Sequence, residues 1–218
     1  IQEEFPQGFA QLLPFSLTGA QHRAIQEAVH DMAGDSPMNR LVQGDVGSGK
    51  TAVAAALCWS VIQNGMQAAL MAPTEILATQ HYHSLNALLE PAHIACALLT
   101  GSVKPGEKKK IYSALADGRI QLVIGTHALL SDQVAFHNLG LVITDEQHRF
   151  GVGQRSALAQ KGASPHLLVM SATPIPRTLA LMVYGDLDVS VLDELPPGRQ
   201  TIETYLINTG KRLRAFGY

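Results

Sequence analysis

The 218-residue sequence reads as an α/β domain with a mostly parallel sheet and helices on both faces. Three observations predict it. Short apolar runs recur ("RLVQG", "AALMAP", "ACALLTG", "QLVIGT", "LGLVITDE" and "HLLVMSAT"), continuous rather than alternating, as in strands buried on both faces. Longer helix-like stretches alternate with them, which is the pattern of βαβ units. Each run also ends on a polar or glycine stop, and open α/β sheets bind ligands at the C-terminal ends of their strands.

In chain order, a helix is expected over Thr18 to Met32, followed by the strand "RLVQG" and a helix over Lys50 to Asn64. "AALMAP" precedes a helix over Glu75 to Leu88, and "ACALLTG" one over Pro105 to Asp117. "QLVIGT" and "LGLVITDE" follow, then helices over Val152 to Gln160 and, beyond "HLLVMSAT", over Pro176 to Tyr184. The prolines and glycine of "ELPPGRQ", residues 194–200, read as a linker. Residues 15–193 form the domain, residues 1–14 a remnant of a preceding region, and residues 201–218 a tail that begins a further unit. The lack of an initiator Met points to a piece of a longer protein.

Composition limits the function classes. Apolar residues at 46% and charged residues at 16% support a sizeable core. A net charge of -2 gives no global attraction to nucleic acid, so any such surface must be a local patch. The longest apolar run, "AVAAALCWSVI", is too short to span a bilayer, and the first residues carry no secretory pattern. Cys58 and Cys96 have no CxxC neighbour and read as reduced core thiols of a cytosolic protein.

The stop after the first strand is "GDVGSGKT", the full GxxxxGK[ST] pattern. Its glycines, Gly44, Gly47 and Gly49, let backbone amides converge on phosphate oxygens, and the helix that starts near Lys50 presents its positive end. Lys50 would face the β and γ phosphates, and the Thr51 hydroxyl would ligate Mg²⁺. The stop after "LVIT" supplies two carboxylates: Asp145 to hold the metal and Glu146 to orient and deprotonate the attacking water. As a bare acidic helix start the pair would only complement a helix dipole. "HYH", His81 to His83, places imidazoles two apart on a helix, pointing different ways, and reads as no metal site.

"LPFSLTGAQ", the phosphate loop, "APTEILATQ", "GTHALL", "DEQHRFGVGQR", "SATPIPRTLA" and "ELPPGR" occur in the order expected of superfamily 2 helicases, and the chain resembles the first RecA-like motor domain of the RecG-type ATP-dependent DNA helicases over about residues 15–199. That resemblance implies a RecA-like P-loop NTPase fold, ATP and Mg²⁺ as cofactors, and the remodelling of branched DNA such as stalled forks and recombination junctions. It implies adenine reading by Leu17 and Gln21, a phosphate cradle that includes Ser48, γ-phosphate sensing by Gln147 and His148, and coupling of hydrolysis to movement by Ser171 and Thr173. Thr173 also suits a plain cap of a helix beginning near Pro174, a reading compatible with coupling. Single-stranded DNA would meet Pro73, Thr74, Glu75, Thr100, Gly101, Thr126 and His127, groups suited to phosphate contact rather than base reading. Read as plain turns and caps, they would look much the same. The run "KPGEKKK", Lys104 to Lys110, is either a solvated face or part of that surface.

The same resemblance implies a second motor domain and a wedge domain in cis, a monomer, no membrane, and the bacterial cytosol close to the nucleoid. No "QxxGRxGR"-like stretch, the source of the second domain's arginines, occurs in the chain, so by itself it should be nearly inactive. Three other readings stand beside it. A transcription-repair coupling type of double-stranded DNA translocase would share the motor. A nucleotide-dependent binding switch would not need Glu146. A small-molecule kinase would leave the helicase-like segments unexplained.

Overall fold

The computed structural model describes residues 6–146, 157–173 and 187–194, without the side chains of Gln7 and Glu146. A short helix α1 (Gln7–Ala10) precedes α2 (Gly19–Ala33), β1 (Asn39–Gly44), α3 (Lys50–Gln63), β2 (Gln67–Met71) and α4 (Glu75–Leu89). Then come β3 (Cys96–Leu99), α5 (Pro105–Ala116), β4 (Leu122–Gly125), β5 (Leu139–Glu146), β6 (His166–Ser171) and β7 (Asp188–Leu192). All six expected strands form. The helices expected at Thr18, Lys50, Glu75 and Pro105 end within one residue of their expected ends. Of the one expected over Val152 to Gln160, residues 157–159 are described and helical. The one over Pro176 to Tyr184 lies outside the described residues, as do residues 1–5 and 195–218.

The seven strands form one sheet in the order β3-β4-β2-β5-β6-β1-β7, and every pairing is parallel. The alternation along each strand sends its side chains to the two faces of the sheet. On one face Val42, Leu70, Ile124, Ile143 and Met170 pack under α2, α3 and α4. On the other, Met71, Leu99, Val123 and Val142 pack with Leu115 of α5 and Leu158.

Helix α3 carries the apolar run "AVAAALCWSVI", and all of it except Trp59 is buried. A helix that is apolar all round must be enclosed. Here α2 and α4 flank it and the sheet lies beneath. Among the described residues no helix is long and apolar enough to cross a membrane. Phe9 of α1 is fully buried in the same core, its ring 6.5 Å from that of Trp59.

Strand β7 was not anticipated. "DVSVL" alternates, with Val191 half exposed and Ser190 buried, so it lacks the continuous apolar signature of the inner strands. Ser190 belongs to a polar cluster beneath it. Arg40, almost fully buried, donates to Asp31 at 2.7 Å, to Glu27 at 3.1 Å and to the Ser190 hydroxyl at 2.8 Å. That cluster ties α2 and the edge strand to β1.

Both cysteines are free thiols. Burial raises the pKa of Cys58 strongly and that of Cys96 to about 11, so both stay protonated and inert near neutrality.

Candidate nucleotide and strand-binding rim

Strand order distributes the candidate residues along one edge. The ends of β1, β6 and β5 carry "GDVGSGKT", "SAT" and Asp145–Glu146, and these three strands are adjacent. The ends of β2, β4 and β3 carry Pro73–Glu75, Thr126–His127 and Thr100–Gly101, and these too are adjacent. One edge therefore holds two neighbouring groups of segments that are interleaved in sequence.

In the first group β6 lies between β1 and β5, with Gln43 level with Ser171 and Ser171 level with Glu146. Two strand spacings put the backbones of β1 and β5 roughly 9–10 Å apart, a gap that side chains from both sides can close. The loop after β1 is built for an anion. Gly47 and Gly49 have φ of 82° and 87°, values that L side chains rarely adopt. A Cβ on Gly44 would sit 2.5 Å from Ser48 Oγ. Gly49 is the N-cap of α3 and offers no side-chain cap, so a ligand anion can complete its first turn. The buried Ser48 hydroxyl has no hydrogen-bond partner among the described residues. Lys50 Nζ donates to Gly44 O at 2.5 Å and Asp45 O at 2.9 Å. Burial lowers its pKa, while the nearby Asp145 and then Asp45 carboxylates pull it back up. Lys50 and Asp145 thus share one electrostatic site. Thr51, the second residue of α3, is half-buried beside it.

Gln21 links this loop to α2. Thr18 caps α2 in a reciprocal box: its hydroxyl accepts from Gln21 N, and Gln21 Oε1 accepts from Thr18 N at 2.9 Å. Gln21 Nε2 then donates to Ser48 O at 2.9 Å. The side chain is a buried strut between the α2 cap and the phosphate loop. Beside it, Leu13, Phe15, Leu17 and His22 line an open cleft of about 800 Å³.

On β6, Ser171 Oγ lies 3.1 Å from Thr173 Oγ1 and accepts from Thr173 N at 3.2 Å. The pair forms a tight polar turn level with the end of β5. Gln147 and His148 lie outside the described residues, as does the side chain of Glu146.

The second group is also joined. Thr74 caps α4, its hydroxyl accepting from Leu77 N. Glu75 Oε1 accepts from Ser102 N at 3.1 Å, which links the segment after β2 to the one after β3. Hydrogen bonds from Ser102, side chain then backbone, hold the Glu75 pKa below its ordinary value, and His127 adds to this. Thr100 lies 3.0 Å from the Ser102 hydroxyl, and Lys108 of α5 donates to Gly101 O at 2.9 Å. Lys108 therefore stands at this surface, whereas Lys110 pairs with Glu107. Thr126 is buried, and its hydroxyl has no partner among the described residues.

One contact had no counterpart in the sequence reading. His81 Nε2 lies 2.6 Å from Asp145 Oδ2. The local signal was the buried stripe of Ala78, Leu85 and Leu89, which leaves His81 on the same face of α4. His83, in contrast, meets the Tyr82 ring edge-on at 5.5 Å.

Residues 18–182 match the family described as DEAD/DEAH box helicase. The chain is 55% identical over 208 residues to the ATP-dependent DNA helicase RecG of Aquifex aeolicus, with 94% of this chain and 26% of that protein covered. It is 56% identical over 199 residues to the RecG of Bacillus subtilis, covering 91% and 29%. The structure of RecG bound to a three-way DNA junction superposes with a TM-score of 0.85 at 49% identity, covering all of this chain and 29% of that one. The DEAD-box helicase Mss116 bound to single-stranded RNA, at 18% identity and a TM-score of 0.67, shares the fold alone. The chain spans between a quarter and a third of the length of the RecG relatives. With its wholly parallel sheet, its glycine loop at β1 and its Asp–Glu pair at β5, the chain belongs to the DEAD/DEAH box helicases.

Proposed function

We propose that this domain is the ATP-binding half of a RecG-type motor that remodels branched DNA. The observation that carries the reading is the division of one sheet edge: a phosphate cradle at the end of β1 and the Asp145 carboxylate at the end of β5, with a polar, backbone-rich surface at β2, β3 and β4 alongside. RecG proteins are relatives at 55% identity, and the RecG structure at 49% identity holds a three-way junction.

The donor set fits ATP with Mg²⁺. The uncapped α3 terminus, the orphaned Ser48 hydroxyl and the positive-φ glycines form a cradle for phosphate oxygens. Thr51 and Asp145 would hold the metal, which would neutralise phosphate charge and leave the γ-phosphorus open to water. Lys50 would set its ammonium against the phosphates. Glu146 takes a proton from the attacking water. Leu17 and Gln21 bind the adenine, and His148 reads the γ-phosphate. Gln147, Ser171 and Thr173 pass its loss towards the strand surface. Pro73, Thr74, Glu75, Thr100, Gly101, Thr126 and His127 hold a DNA backbone through small groups and amides, which grips without regard to sequence. Residues 15–193 act as the motor domain, the linker at 194–200 leads towards a second motor domain, and a wedge domain stands elsewhere in the same monomeric protein. A bacterial cytosolic location near the nucleoid follows from that substrate.

ATP turnover by a full-length protein carrying this chain, measured over forks, three-way junctions and linear duplex, tests the reading. Stimulation by branched DNA above linear DNA is expected. Equal stimulation by linear duplex would favour a translocase of the transcription-repair coupling type, and no stimulation would leave a nucleotide switch.

A further inference from the structure

His81 stands near the middle of α4, and its side chain is only 13% exposed, against 16% for Asp145. A carboxylate that is ionised only accepts hydrogen bonds, so the imidazole donates from Nε2 across the 2.6 Å contact to Oδ2. The fold makes this meeting a matter of register. Leu141 and Ile143 point to the face covered by α3 and α4, and Asp145 continues that alternation. Ala78 and Leu85 turn one side of α4 to the same core, and His81 falls between them.

Among the described residues the Lys50 ammonium donates to Gly44 O and Asp45 O, and the hydrogen bond that fixes the Asp145 carboxylate comes from His81. We propose that His81 is a positioning residue for the Asp145 carboxylate, fixing its rotamer so that its remaining lone pairs face the cation of the bound nucleotide. The proposal rests on the reading of Asp145 as the metal-holding group. It assigns to α4 a role beyond the strand contacts at its first turn: the helix that begins at Thr74 and Glu75 also orients the metal site. Carboxylates that hold metals are commonly oriented by such outer partners, and loss of one costs about 10–100-fold in metal affinity.

The test uses a fluorescent, non-hydrolysable ATP analogue titrated into the 218-residue chain, once with excess magnesium and once with EDTA. Three variants are compared with the wild type: His81→Leu removes the donor, His81→Gln keeps an N–H of similar reach, and Asp145→Asn removes the carboxylate. The expected result is a magnesium-dependent gain in affinity that His81→Leu cuts by about 10-fold, with the EDTA affinity unchanged and most of the gain kept by His81→Gln. If His81→Leu does not fold, His81→Asn, whose donor is drawn back from Asp145, replaces it in the comparison. A full gain in the donor-less variant, with the gain lost in Asp145→Asn, would overturn the role of His81 and leave the metal reading standing. A full gain in Asp145→Asn would overturn both.

Discussion

Gly49 shows how little freedom single positions have at this site. Its φ of 87° suits glycine, and a Cβ there would collide with the Gln21 amide. Gly49→Ala should therefore break the Gln21–Ser48 hydrogen bond and cost about 1–3 kcal/mol of stability, read by urea unfolding, together with loss of nucleotide binding. Lys50→Ala acts differently. It removes a half-buried cation whose bonds in the structure go only to the backbone carbonyls of Gly44 and Asp45, so the fold should persist. In a full-length protein carrying this chain, ATP turnover should vanish while fork binding, followed by anisotropy, stays largely intact. His166 gives a pH dependence. Its Nδ1 accepts from Met38 N at 3.0 Å, and burial lowers its pKa below the ordinary 6.5. The unfolded chain then binds the proton more readily, so stability is present above pH 6.5 and falls as the pH drops through that value towards the folded pKa. The imidazole is partly exposed, and the loss should be on the order of 0.5 kcal/mol by pH 5.5, absent in His166→Asn. Of these residues Gly49 and Lys50 were legible in the sequence, because a phosphate loop is a local pattern. The His81–Asp145 pair was not, since the two residues are 64 positions apart and meet only through sheet order.

At the scale of elements, the inner strands announced themselves because burial on both faces leaves no room for polar alternation. β7 did not, because an edge strand can leave Val191 in solvent. Its attachment depends on the Arg40 cluster, whose members are up to 163 residues apart in sequence and invisible to local pattern. Arg40→Leu should cost about 2–3 kcal/mol, short of the value for a fully buried network because the Glu27 side chain remains half exposed and can rehydrate. Hydrogen exchange should show the loss concentrated in β7 and α2. Helices α2 and α4 begin at capping threonines, Thr18 and Thr74. Thr18→Ala should destabilise by about 1 kcal/mol and also weaken nucleotide affinity, because the same box holds Gln21 against the phosphate loop.

At the scale of the molecule, strand order gathers distant segments into two neighbouring groups on one edge. The grouping follows from topology, and no stretch of sequence states it. The chain by itself should bind adenine nucleotide weakly, hydrolyse it slowly and leave forks intact, since an arginine supplied by a second motor domain is worth about 10³–10⁵ in rate. A coupled ATPase assay with and without fork DNA checks this, and strong DNA-stimulated turnover by the 218 residues would contradict it. The sheet order also bears on how the domain is made. β1 pairs only with β6 and β7, and Met38 lies 128 residues before His166. A ribosome therefore releases β2, β3, β4 and β5 as a mutually paired set while β1 still has no neighbour to zip against. Nascent chains stalled before His166 should be cut by trypsin at Arg40, and chains carrying all seven strands should resist, so the half of the edge built on β1 is the last to be born.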